Sequence, residues 1–321
     1  MIVDLPDSNA SKIQRSLVTI RAEGGAVALG RVLTLVIATQ LGHEEEAIEA
    51  ANDASREHPM RVIVIARDAS QKTAAPRLDA QIRVGGDAGA SEVVVLRAYG
   101  AAGADEEGLI TGLLLPDAPV VAWWPLTAPD VPSDSPLGRI AQRRITDASA
   151  QDDPQAAVHH LAATYRPGDT DFAWTRLTLW RAVLAAVLDQ PPFEPVTGVE
   201  VSGAADSPST RLLAAWLSLQ LQVPVSTTLS NRSTGSSGIH SVSLQRAGGA
   251  IDLERVVPNV ATLSQPGQPV HEVSLPRRSL RDCLAEELRR LDPDDLYGAV
   301  LREGLAQLPD PTGRGLVAAA S

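Results

Sequence analysis

The chain has 321 residues, 44% hydrophobic and 21% charged, which is long enough for two domains with separate cores and ordinary for a globular protein. A net charge of −11 without any basic run excludes nonspecific nucleic-acid binding, because no cationic surplus exists to neutralise phosphates. The single cysteine, Cys283, excludes an internal disulfide, and the two lysines, Lys12 and Lys72, leave almost no candidate for Schiff-base or P-loop chemistry.

The first half reads as an α/β layer. Ser8 or Ser11 caps a helix carrying Ile13, Leu17 and Ile20, which Gly24-Gly25 ends. A β-branched strand at Arg31–Thr39, a helix at Glu44–Glu57 and a strand at Arg61–Ala66 form a strand–helix–strand unit with parallel strands. Three acidic residues, Glu44 to Glu46, open that helix and suit its positive end. Strands follow at Leu78–Val84 and Glu92–Tyr99, while Leu109–Leu115 fits either strand or helix. Val120–Pro125 reads as a strand ending in two exposed aromatics, Trp123 and Trp124, before a proline-rich surface loop that runs to Leu137. A helix at Gln155–Tyr165 leads to Arg166–Asp169, the expected domain boundary.

Beyond it, Phe172-Ala173-Trp174-Thr175-Arg176-Leu177-Thr178-Leu179-Trp180-Arg181 holds three of the ten aromatic residues of the chain. Leu177, Trp180, Leu184, Val187 and Leu188 recur at helical spacing as one stripe. Arg176 and Arg181 flank it, with Arg176 four residues from Trp180 and within reach of its ring. A core helix with two snorkelling arginines is the plain reading. The sharper one is a packed platform that presents cations to an anionic ligand or a protein partner. On that reading Trp174, Arg176, Arg181, Trp123 and Trp124 are the candidate binding residues.

The second half then has a strand at Gly198–Val201, a helix at Thr210–Leu221 and a strand at Val223–Leu229. A Ser/Gly-rich loop, Ser230–Gly238, precedes antiparallel strands at Ile239–Gln245, Ile251–Val256 and Val270–Leu275. Two helices close the fold, one with Cys283 buried among Leu280, Leu284 and Leu288, the other starting at Asp292-Pro293-Asp294-Asp295. The fold class is therefore α/β, as two α/β domains, each a mixed sheet with flanking helices. The expected domains span 1–166 and 167–308, with a flexible tail at 309–321.

Catalytic and metal motifs do not emerge. None of the six histidines stands in an H-E-x-x-H spacing, and there is no G-x-S-x-G elbow. The glycines from Gly24 to Gly30 precede a strand, the reverse of a dinucleotide fingerprint, and those from Gly85 to Gly89 lack a following helix. Ser202, Gly203, Ser207 and Ser209 lie in a loop between strand and helix N-terminus, where free amides and the helix dipole could hold a phosphate, but a plain connecting loop is the favoured reading. We expect no metal, no cofactor and no catalytic residue. No apolar run approaches a membrane span, and no positive segment followed by an apolar core opens the chain, so a cytoplasmic protein without a membrane partner is expected.

Seven collinear stretches, Gly25–Leu35, Glu49–Val64, Leu78–Leu96, Leu114–Pro125, Arg143–Asp147, Asp171–Arg181 and Ser202–Leu219, resemble the OpcA family of glucose-6-phosphate dehydrogenase assembly proteins in its actinobacterial form. The resemblance implies a non-catalytic assembly factor or allosteric activator whose partner is glucose-6-phosphate dehydrogenase, in support of the oxidative pentose phosphate pathway and NADPH supply. Photosynthetic relatives are linked to thioredoxin-dependent control, which requires reactive cysteines, so the lone Cys283 departs from that pattern. The alternative is a sugar-phosphate- or nucleotide-handling α/β enzyme that uses the Ser202–Ser209 loop.

Overall fold

Long apolar runs in the first half become strands buried on both faces. The computed structural model describes residues 1–23, 30–67, 75–85, 92–230 and 238–308. The glycine-rich stretches at 24–29 and 86–89, the Ser/Gly loop at 231–237 and the tail from 309, all singled out above, lie outside the described residues. The chain forms two compact units: Met1–Gln151, Arg166–Thr175 and Arg278–Asp294 make up one, and Asp152–Tyr165, Arg176–Arg277 and Asp295–Ser321 the other. The chain thus passes between units repeatedly, where the sequence reading placed a single crossing near Arg166–Asp169.

The first unit is built on β1 (Ile2–Leu5), β2 (Leu33–Gln40), β3 (Met60–Arg67), β4 (Arg77–Val84), β5 (Glu92–Tyr99), β6 (Val120–Trp123), β7 (Arg143–Thr146) and β8 (Asp169–Asp171), arranged as β1-β4-β5-β3-β2-β6-β7-β8. The six strands from β5 to β8 in that order are parallel, while β4 runs antiparallel to β5 and β1 antiparallel to β4. All but the last residue of β2 and of β3 are buried, as expected of parallel strands covered on both faces.

Helices α1 (Ala10–Glu23) and α2 (Glu45–Ala54) cover opposite faces. The start of α1 departs from the sequence reading. Asn9, rather than Ser8 or Ser11, caps it, its side-chain oxygen accepting the Lys12 amide at 2.9 Å. The ambiguous stretch near Leu109 resolves as helix α3 (Glu106–Thr111), capped by Asp105. The proline-rich segment after β6 holds a 3₁₀ turn at Pro132–Asp134 and a short helix, α4 (Pro136–Ile140), whose first turn Ser135 caps.

The second unit holds β9 (Gly198–Ala204), β10 (Val225–Ser230), β11 (Ile239–Gln245), β12 (Ile251–Val257), β13 (Val260–Ser264) and β14 (His271–Ser274), ordered β10-β9-β11-β12-β13-β14. Strands β9 and β10 are parallel, joined by α8 (Pro208–Leu221), and the other pairings are antiparallel. Gly203 permits α8 to close on β9, because a Cβ there would fall 2.3 Å from Thr210 Oγ1. The remaining helices are α5 (Pro154–Thr164), α6 (Phe172–Thr175), α7 (Thr178–Leu188), α9 (Leu280–Arg289) and α10 (Asp295–Ala299); α6 and α9 belong to the first unit, the others to the second. Among the described residues no helix is long and apolar enough to cross a membrane.

Candidate functional site

The aromatic–arginine segment is two helices, not one. Arg176 and Leu177 separate α6 from α7, and the break coincides with the passage from one unit to the other. Asp171, at the end of β8, organises the first half. Its carboxylate accepts from Thr146 Oγ1 (2.6 Å), the Ala148 amide (2.9 Å) and the Ala173 amide (2.8 Å), joining the end of β7 to the start of α6. Burial, and secondarily the nearby Asp147 carboxylate, push the Asp171 carboxyl up to about 6.

Around it, Phe172 packs on Trp123 with ring centroids 5.5 Å apart, and the Trp174 indole donates to Asp294 Oδ2 at 2.8 Å. Thr170 and Thr175 hydroxyls donate to Glu287 Oε1 on α9, whose other oxygen accepts from Arg143. Arg143 also donates to the Asp292 carbonyl at 2.7 Å, so a buried cation is paired and hydrogen-bonded. The sequence reading missed this knot, because Arg143, Thr170 and Glu287 are far apart in the chain and none sits in an apolar pattern.

The candidates divide accordingly. Trp123 (0% exposed), Trp124 (4%) and Trp174 (1%) are buried, correcting the expectation of exposed aromatics after Val120. The cause is the position of β6 between β2 and β7, where one tryptophan faces each of the two layers beside the sheet. Arg176 and Arg181 are half-buried, and Arg181 donates to Thr178 Oγ1 at 3.3 Å. Trp180 is buried as the stripe requires, with the guanidinium of Arg255 from β12 lying 5.2 Å from its ring centroid. Burial, and then the neighbouring Arg277, bring the Arg255 guanidinium down to about 10.

The serine loop is likewise split. Ser202 shares a 2.7 Å hydrogen bond with Ser241 across β9 and β11, whereas Ser207 and Ser209 are buried at the start of α8. Gln155 donates to the Ala205 (2.9 Å) and Ser207 (3.2 Å) carbonyls, fastening the loop to α5. Among the described residues no group of three or more His, Cys, Asp and Glu side chains stands close enough to hold a metal ion.

A cleft of about 730 Å³ opens at the carboxyl ends of the parallel strands of the first unit. Thr39 and Gln40 from β2, Arg67 from β3 and Trp124 just past β6 line it, with Glu106 at the start of α3. Arg67 pairs with Glu106 at 2.6 Å, and burial raises the Glu106 carboxyl against the pull of that guanidinium. In chain order the parallel strands of this unit run 3-2-1-4-5-6, the dinucleotide-binding order. The turn after β2 does not suit a dinucleotide. It reads Leu41-Gly42-His43-Glu44, with one glycine, and α2 then opens on Glu45 and Glu46. Carboxylates therefore occupy the positive helix end that a pyrophosphate would need.

Two family models match in tandem. One, described as the glucose-6-phosphate dehydrogenase subunit N-terminal domain, matches residues 51–163; the other, the C-terminal domain of the same subunit, matches residues 167–301. The chain belongs to the OpcA family. No curated protein matches it in sequence. Among solved structures, a 3-ketoreductase from Actinomadura kijaniata, solved with TDP-benzene and NADP, is 12% identical with a TM-score of 0.48, over 86% of this chain and 94% of that one. An oxidoreductase from Sinorhizobium meliloti is 10% identical with a TM-score of 0.48, over 86% and 95% of the two chains. A glucose-6-phosphate 1-dehydrogenase from Mycobacterium avium is 11% identical with a TM-score of 0.41, over 85% and 91%.

Proposed function

We propose that this OpcA-family protein is a non-catalytic, cytoplasmic assembly factor and allosteric activator of glucose-6-phosphate dehydrogenase, supporting NADPH supply through the oxidative pentose phosphate pathway. The observation that carries the reading is the tandem match to both domains of a glucose-6-phosphate dehydrogenase subunit, the second of which contains the whole Phe172–Arg181 segment. On this reading the half-buried Arg176 and Arg181, which lie in the second unit with the buried Trp180, meet the partner. Arginine set beside aromatic packing is a common composition of interface hot spots.

The test is co-purification with glucose-6-phosphate dehydrogenase, followed by assay of the dehydrogenase with and without this protein. A complex with raised activity, and no turnover of glucose 6-phosphate or NADP by this protein alone, is expected. Turnover by the isolated protein, or a dehydrogenase indifferent to its presence, overturns the reading.

A further inference from the structure

The sheet of the second unit turns one face inward, and three nitrogen-bearing side chains gather at the end of that face. Val242, Leu244, Ile251 and Leu253, all buried, cover its middle. Alternation along β12 carries Arg255 onto the same face, where its guanidinium lies against the Trp180 ring of α7. The register that sets Ser241 opposite Glu254 brings His240 level with Arg255, at a β-bulge between β11 and β9. Arg277 follows β14, and its Nη1 lies 3.9 Å from where a Cβ on Gly238 would stand, close to His240 in the chain.

The carboxylates of these strands are on the other face. Glu200, Asp252 and Glu254 stand opposite Ser243 or Ser241 and are exposed. Arg255 gives one N–H to the Leu275 carbonyl at 2.8 Å, but its Nε and His240 Nε2 are buried without a hydrogen-bonding partner among the described residues. Burial, then Arg277 and Arg255, hold the His240 imidazole below its ordinary value, so both charges acting on it are positive. After burial, Arg277 also opposes the charge on Arg255. Folding thus brings like charges together, an arrangement that an anion relieves.

Access and charge define the ligand class. Arg277 is exposed, and Arg255 and His240 are half-buried, so an ion reaches them from solvent. Two guanidiniums and one imidazolium supply positive charge and donors from three segments of the chain. A dianion with several oxygens matches that set better than a carboxylate, which offers a single charge.

We propose that Arg255, Arg277 and His240 form a binding site for a phosphate group, carried by a free phosphate ion or by a small phosphate monoester. The site lies within the second unit and is tested on the isolated chain, so its fate is independent of dehydrogenase binding.

Histidine NMR of the full chain, with His240 assigned from the spectrum of His240→Gln, provides the test. Inorganic phosphate should bind saturably, one ion per chain, and raise the His240 pKa, whereas sodium chloride at the same ionic strength should not. Arg277→Met, at an exposed position, should keep the wild-type melting temperature and weaken phosphate binding about tenfold or more. Arg255→Met should weaken it at least as much; if that variant melts early for want of the Trp180 contact, the Arg277 variant decides alone. Sulfate, whose charge is constant over this range, should bind more tightly as pH falls from about 7.5 to about 5, because the imidazolium then joins the site. His240→Gln should flatten that profile. Glucose 6-phosphate binding more tightly than inorganic phosphate assigns the site to a monoester; equal or weaker binding assigns it to the free ion. Absence of saturable phosphate binding overturns the proposal. So do a His240 shift that chloride reproduces, an affinity indifferent to the arginine variants, and a sulfate profile that is flat in the wild type.

Discussion

Asp171 makes three hydrogen bonds from inside the protein, yet its carboxyl is still pushed up to about 6 by burial. In the unfolded chain it would titrate near 3.8, so the folded state binds the proton more tightly across the intervening range. Its contribution to stability is therefore fully present below that lower value and is lost as pH rises toward 6. Thermal melts between pH 4 and 6.5 should show this fall, and Asp171→Asn should flatten it. The same variant should cost about 1–3 kcal/mol at neutral pH, because an amide NH₂ accepts no hydrogen bond, so at least one of the donors now held by the two carboxylate oxygens loses its acceptor. Arg176, Arg181 and Trp180 separate packing from recognition. Trp180→Ala should cost about 3–5 kcal/mol through cavity formation, with loss of the Arg255 contact besides. Arg176→Ala and Arg181→Ala should barely move the melting temperature but weaken dehydrogenase activation. If both melt early and the folded fraction activates normally, the segment is packing alone.

Among elements, most long apolar or alternating strands were legible, whereas the short strands β1 and β13 were missed despite their apolar residues, and so were the charged β7 and β8. β2, β3, β5 and β6 are strings of Val, Ile, Leu and Ala, and their strands appear within a residue or two of where the pattern puts them. β7 is Arg143-Arg144-Ile145-Thr146 and β8 is Asp169-Thr170-Asp171, which have neither the alternation nor the apolar run that marks a strand. They are strands because each charge meets a partner far away in sequence: Arg143 finds Glu287 and Arg144 finds Asp169. Period-based reading sees only neighbours in sequence, so it also missed the break between α6 and α7 and read them as one amphipathic helix. The pairing makes a sharp prediction. Glu287→Ala leaves the Arg143 guanidinium buried without its carboxylate and should cost about 3–5 kcal/mol by denaturant titration. Combining it with Arg143→Met should recover part of that loss, since the second change removes the stranded charge. A double variant as unstable as the sum of both singles would mean that the pair does not act as a unit.

For the molecule as a whole, the path of the chain matters as much as its elements. Helix α9 lies far along the sequence, yet it completes the core of the first unit, where Cys283, Leu284 and Leu288 join the cluster of Leu35, Val62 and Trp123. Arg289 pairs with Glu57 at 3.0 Å, and the His58 ring lies 3.2 Å from the Ala285 carbonyl. Residues near the carboxyl end are thus structural parts of the amino-terminal sheet, which a boundary drawn from composition shifts has no means to detect. This placement also bears on redox control. Cys283 is fully buried and the sole thiol of the chain, so neither an internal disulfide nor ready oxidation is open to it. On the proposed function, activation of the dehydrogenase should therefore be the same with and without reductant. Cys283→Ser should leave activation intact while lowering stability by on the order of 1–3 kcal/mol, the cost of a hydroxyl in an apolar site. Parallel activation assays and melts on wild type and variant check both halves. A large, reversible thiol dependence that disappears in the serine variant would mean that α9 opens enough to expose the sulfur, and would assign this helix a regulatory role in place of a structural one.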